Sequence, residues 1–445
     1  MTTAPLPRFP ASFRWGVSTS AYQIEGGADA GGRGRSIWDT FAHTPGRIID
    51  GSTGDRACDH YHRHAADVAL MAGLGISAYR FSVAWPRVQP GGTGAANPAG
   101  LDFYERLVDD LLAAGIDPVA TLFHWDLPQP LEDTGGWLNR DTADRFAEYA
   151  DLVAARLGDR VKLWITLNEP FIHMSLGYGT GEHAPGRTLL FDAFPVAHHQ
   201  LLAHGHAVAA LRAHSASPVA IANNYSPVVL CGDTDADRAA AAAYDALHNR
   251  LFTDPLLGLG YPPGIEPTVV RDGDLDVIAT PIDVLGVNYY NPTGIRAPEE
   301  GSPLPFSMVP LDGYPRTAFD WPVVPDGLRD LLTGLKERYG DALPPIQVTE
   351  GGCAYDDAPD ADGRVHDPDR ISYLDGHLRA VRAAMDAGVD VTGYFVWSLL
   401  DNWEWAEGFT KRFGLVHVDF DTLARTPKSS YAWYRDLIAD NRDRP

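Results

Sequence analysis

Residues 162–170 read KLWITLNEP, an apolar run that ends in an amide and a carboxylate. Near-continuous apolar character of this kind fits a strand buried on both faces, as in a parallel sheet. Lys162–Leu167 is therefore one candidate strand. Seven further runs share the pattern: Trp15–Ser18, Ser77–Val83, Pro118–Leu122, Val219–Asn223, Val284–Tyr289, Ile346–Thr349 and Val391–Val396. Amphipathic helical patterns fall between them. From Asp144 to Gly158, residues Phe146, Tyr149, Ala150, Val153 and Leu157 recur at steps of three and four, and Gly158 stands where that helix would stop. Leu101, Tyr104, Val108 and Leu111 make a second stripe, and Leu328, Leu331, Leu332 and Leu335 a third. Strands alternating with helices in this way predict an α/β fold, a (β/α)8 TIM barrel rather than an open sheet.

Such barrels run well past the usual domain size, so the 445 residues read as a single catalytic domain, 1–445. With 36 basic and 59 acidic residues the formal charge is −23. A chain this negative repels nucleic acid and anionic membranes, so neither is expected as a partner. Cys58, Cys231 and Cys353 are too few and too scattered for a disulfide framework or a tetrahedral metal site. Residues 1–13 lack a basic and then apolar leader, no run approaches a membrane span, and the last five residues carry no lipidation pattern. A cytoplasmic location is the expectation.

In a barrel of this kind the loops after the strand C-termini build the site. The spans His173–Gly186 and Asn291–Pro325 are long and rich in Gly, Pro and aromatics. Chemistry-bearing residues gather at the same strand ends: His124-Trp125-Asp126, Asn168-Glu169, Asn288-Tyr289-Tyr290, Thr349-Glu350, and Trp397 onward. Glu169 and Glu350 follow strands four and seven, nearly across the barrel from one another. Two facing carboxylates can share acid–base chemistry when their surroundings push their pKa values apart. In glycoside hydrolysis, a short separation gives a nucleophile and a proton donor with retention; a wider one admits water and gives inversion. Trp125, Trp397, Trp403 and Trp405, with Gln23, His124, Asn168 and Glu404, supply the mixture of ring faces and hydrogen-bonding groups that a sugar needs.

Six stretches carry a family resemblance: FRWGVSTSAYQIEG (13–26), YRFSVAWPR (79–87), TLFHWDLPQ (121–129), TLNEP (166–170), GVNYY (286–290) and YFVWSLLDNWEWAEGFTKRFGLVHVDF (394–420). In that order they resemble glycoside hydrolase family 1, the β-glucosidase and β-galactosidase group, from Phe13 to about Trp433. The resemblance implies that Glu169 is the acid/base and Glu350 the nucleophile of a retaining β-glucosidase, with Arg80 and Tyr290 supporting the nucleophile. It implies a glycone pocket of Gln23, His124, Trp125, Asn168, Asn288, Glu404 and Trp405, with Trp397 as platform. Trp321 and His183 would border the leaving-group site, and His173 is a further candidate there. No metal and no organic cofactor is implied. The substrate would be a small β-glycoside or oligosaccharide with a terminal glucosyl residue, with galactosyl or fucosyl tolerated. Glu404 repels phosphate, which points to an unphosphorylated glycone, and Glu rather than Gln at 169 separates the chain from the plant thioglucosidases. One position departs from the family: Gly351 stands where Asn usually follows the nucleophile. Two alternatives stay open, a transglycosidase using the same glycosyl-enzyme and a catalytically silent sugar-binding protein. The histidines at 60, 62 and 64 and at 198, 199, 204 and 206 read as structural, and Cys353 as a buried inert thiol.

Overall fold

Eight parallel strands close on themselves in the computed structural model, which describes residues 8–442. They are β1 (Arg14–Ser18), β2 (Ala78–Ser82), β3 (Asp117–Phe123), β4 (Leu163–Asn168), β5 (Val219–Tyr225), β6 (Val284–Tyr289), β7 (Ile346–Gly351) and β8 (Val391–Trp397). Each pairs with its sequence neighbours, and β1 closes the ring by pairing with both β2 and β8. All eight candidate strands are therefore real, with ends shifted by one or two residues. The expectations placed on residues 1–7 and 443–445 lie outside the described residues.

The barrel interior is filled, not open. Ala78, Val119, Leu163, Ile165, Ala220, Ala222, Val284 and Phe395 form a compact plug of buried side chains. Its three alanines leave room for the Phe395 ring, and a Cβ on Gly16 would strike that ring. Above this plug the inward positions turn polar, which places the site at the C-terminal mouth.

Helices wrap the outside. The principal ones are α1 (His60–Leu74), α2 (Pro98–Ala113), α3 (Asp141–Leu157), α4 (Phe194–His214), α5 (Pro325–Tyr339), α6 (Pro368–Asp386) and α7 (Ser429–Arg442). The expected faces are the buried ones: Phe146, Tyr149, Ala150, Val153 and Leu157 on α3, and Leu328, Leu331, Leu332 and Leu335 on α5. None of the helices among the described residues is long and apolar enough to cross a membrane.

The two long spans are more ordered than loops. His173–Thr180 winds as a π-helical turn. The span after β6 contributes Thr293–Arg296 and Ser307–Val309, which join Val228–Leu230 in a three-stranded side sheet. The histidines outside the mouth have separate structural partners. His60, His62 and His64 pair with Asp67, Asp59 and Asp110, while His198 bonds Asp274 and His204 meets Thr166 Oγ1. Burial pushes the Cys353 thiol up to about 12, so it stays protonated and inert.

Candidate active site

Both carboxylate-bearing strands are irregular just before the carboxylate. In β4, Ile165 pairs with Ala220 and Asn168 with Ala222, so three steps on one strand match two on the other. In β7, Val348 pairs with Val287 and Glu350 with Asn288, two steps against one. An extra residue of this kind is a β-bulge, which re-aims the side chains that follow it. Here the bulges deliver Glu169 and Glu350 to one cavity, with Asn168 buried behind its wall. Glu169 adopts a left-handed backbone with φ of 43°, Trp125 one of 77° and Trp405 one of 48°. Bulky residues hold such angles at a cost of about 1–3 kcal/mol each, so the surrounding packing imposes them.

The cavity has a volume of about 460 Å³. His124, Trp125, Glu169, His183, Tyr290, Trp321, Glu350, Trp397, Glu404 and Trp405 all line it. Gln23, Arg80, Asn168 and Asn288 are wholly buried and brace those residues. Arg80 Nη1 donates to Glu350 Oε1 at 2.6 Å and Nη2 to Asn168 Oδ1 at 2.5 Å. Tyr290 Oη donates to Glu350 Oε2 at 2.7 Å. Asn288 Nδ2 donates to Glu169 Oε1 at 2.9 Å and to Asn168 Oδ1 at 3.0 Å. Gln23 Nε2 donates to Glu404 Oε2 at 3.0 Å. Asn168 Nδ2 donates to His124 Nε2 at 3.0 Å, which leaves the proton of this neutral ring on Nδ1. That Nδ1 has no protein partner.

Burial raises both carboxyls, but their neighbours then separate them. At Glu350 the Arg80 charge and the Tyr290 hydrogen bond oppose burial. At Glu169 the Glu350 charge adds to it, and the carboxyl is pushed up to about 8. Glu350 therefore ionises first and Glu169 keeps its proton. Glu404 is also pushed up to about 8, by burial and by Glu350. Burial drives His124 well below the ordinary histidine value and so keeps it neutral.

Trp397, Ala354 and Phe413 pack with Tyr290, Phe319 and Trp321 into an apolar wall, where Phe319 and Trp321 stack at 4.4 Å. Two expectations shift here. Trp403 belongs to the core and donates its Nε1 to Ser52. His173 is buried edge-on against Phe123 and Tyr178, away from the cavity. Gly351 departs from the family pattern without opening the cavity: a Cβ there would lie 2.5 Å from Tyr394 Oη. Asn224 and His248 line the cavity and were not anticipated. Asn224 obeys the strand-end rule that found the others; His248, on a helical turn, carries no such signal.

Comparison with known proteins agrees with this geometry. Residues 6–443 match the profile described as Glycosyl hydrolase family 1. A thermostable beta-glucosidase B from Thermobispora bispora is 50% identical, over 97% of this chain and 91% of that protein. A bifunctional beta-D-glucosidase/beta-D-fucosidase from Bifidobacterium breve is 45% identical, over 98% of this chain and 99% of that protein. The solved family 1 β-glucosidase of Thermotoga maritima is 43% identical, covers 98% of this chain and 99% of its own, and superposes with a TM-score of 0.95. That enzyme has also been solved in complex with glucoimidazole and with galacto-hydroximolactam. Full-length matches at these identities, together with the two braced carboxylates, show that the chain belongs to glycosyl hydrolase family 1.

Proposed function

We propose that the protein is a retaining β-glucosidase that removes terminal, non-reducing β-D-glucosyl residues from small glycosides. One observation carries the reading: Glu350, held by Arg80 at 2.6 Å and Tyr290 at 2.7 Å, faces a Glu169 pushed up to about 8. Glu350 attacks the anomeric carbon while Glu169 gives its proton to the departing oxygen. The sugar is then esterified to Glu350, whose charge is gone. Without that repulsion Glu169 becomes more acidic, and as a carboxylate it takes a proton from the water that cleaves the ester. Consecutive hydrogen bonds from Glu350 through Arg80, Asn168 and Asn288 to Glu169 tie the two carboxyls together and favour the short separation that a covalent intermediate requires.

His124 Nδ1 and Glu404 would meet sugar hydroxyls, with Asn168 bracing His124 from behind and the Trp397 ring as platform. The lining contains Glu169, Glu182, Glu350, Glu404 and Glu407 and, among the described residues, no Lys or Arg. An unphosphorylated glycone fits that wall. The dual-activity relative and the galacto-configured complex support tolerance of fucosyl and galactosyl residues. The Phe319–Trp321 stack favours apolar alcohols beside the intermediate, so some transfer to acceptors accompanies hydrolysis. Retention of both carboxyls and their braces argues against a silent binding protein. The whole chain acts as one catalytic domain, in the cytoplasm, with no metal or cofactor.

The test is turnover of nitrophenyl β-glucoside by the wild type and by Glu350→Ala with azide. The wild type should turn over, the variant should not, and azide should restore release with an α-glucosyl azide as product. A β-configured azide, or a variant as active as wild type, would remove Glu350 from the role.

A further inference from the structure

Asn224, at the end of β5, donates from Nδ2 to Glu169 Oε1 at 3.2 Å. Its other end, Oδ1, lies 2.7 Å from His248 Nε2. An amide oxygen only accepts, so Nε2 must carry the proton. The His248 ring lies 4.2 Å from the Phe171 ring, and loss of solvation pulls it down to about 3, so it is neutral. A neutral imidazole with its proton on Nε2 has a bare Nδ1. Tyr244 Oη lies 3.0 Å from that Nδ1 and 3.1 Å from Thr293 Oγ1, so its one proton is divided between these two acceptors. The polarity of the chain thus runs from His248 through Asn224 to Glu169. Were the Asn224 amide turned over, its oxygen would face Glu169 and favour the protonated carboxyl instead. The His248 tautomer therefore sets the sign of what Asn224 does.

We propose that His248 is a positioning residue for the proton donor, holding the Asn224 amide so that its N–H faces Glu169 and stabilises the carboxylate. This rests on Glu169 being the acid/base. The carboxylate is the form that activates water, and His248 supports that form from outside the glycone pocket. The other groups that face Glu169 are the charges of Glu350, Arg80 and Glu404, the Tyr290 hydroxyl and the Asn288 amide. None of them touches His248 in a hydrogen bond, so a change at 248 reaches Glu169 through Asn224.

The experiment measures the Glu169 pKa in two ways. One is the alkaline limb of kcat/KM. The other is a carbon-13 titration of carboxyl-labelled glutamate, with the Glu169 resonance identified by its loss in Glu169→Gln. His248→Phe keeps the ring on Phe171 but removes both nitrogens. Losing one hydrogen bond to a charged group should raise the Glu169 pKa by about half to one unit. Asn224→Ala should do the same, and His248→Gln, which offers an amide N–H to Asn224 Oδ1, should restore the wild-type value. His248→Leu, which also removes both nitrogens, should move it in the same direction and decides the matter if His248→Phe fails to fold. A Glu169 pKa unmoved in folded variants overturns the proposal, whatever happens to kcat. A shifted carbon resonance in an enzyme that turns over no glycoside would instead overturn the functional reading, and with it the role of His248 toward a proton donor, so the two failures are told apart.

Discussion

The Asn288 amide donates to Glu169, and Thr349 Oγ1 donates to its oxygen at 2.7 Å, whereas Glu350 is held by Arg80 and Tyr290. At this scale the site works by inequality: alike carboxyls, unlike neighbours. The sign of the pH dependence follows. Glu169 must be protonated to assist departure, so kcat/KM should be full well below pH 8 and fall as the pH rises through about 8. A kcat/KM already falling in the ordinary carboxylate range would sink the assignment. Gly351 gives a second residue-scale prediction. A side chain there meets the buried Tyr394 hydroxyl, so Gly351→Asn should cost about 1–3 kcal/mol in denaturant unfolding. Adding Tyr394→Phe should recover part of it; no recovery would mean the strain lies elsewhere. Positions around the cavity were legible where strand ends carried them. Trp403 was misplaced because sequence does not distinguish a core indole from a sugar platform.

At the scale of elements, the loop after β8 carries Glu404 and Trp405, and a buried ion cluster holds it. Lys428 Nζ donates to Asp401 Oδ1 at 2.7 Å and to Asp357 Oδ2 at 2.6 Å, and Arg412 reaches Asp401 at 2.8 Å. Lys428→Met leaves those buried carboxylates short of a cation and should cost about 3–5 kcal/mol in chemical denaturation. Because Asp401 sits in the loop that presents Glu404, KM for the glucoside should rise as well. A stable variant with unchanged KM would show that the cluster does not position the loop. The strands themselves were legible, since burial on both faces leaves continuous apolar runs. The bulges in β4 and β7 were not, because an extra residue exists only relative to the strand beside it. The side sheet was missed for a simpler reason: two of its strands, Val228–Leu230 and Ser307–Val309, have three residues each, too few to show a period.

Across the whole molecule, closure of the ring depends on β1. Trp15 packs against Phe9, Phe13 and Tyr434, and Tyr434 Oη donates to Gly16 O at 3.2 Å, so α7 clamps the seam from outside. Trp15→Ala should cost about 3–5 kcal/mol on unfolding while leaving the KM of the surviving fold unchanged. A loss within experimental error would mean that the seam is held by its backbone ladder alone.

That seam has a consequence during synthesis. Gln23 and Glu404, 381 residues apart, meet across it in a single hydrogen bond. The first wall of the pocket leaves the ribosome long before its counterpart is translated. A chain interrupted after β6 holds Glu169 but neither Glu350 nor Glu404. Until Glu404 has been translated, there is no half-working pocket to release sugar.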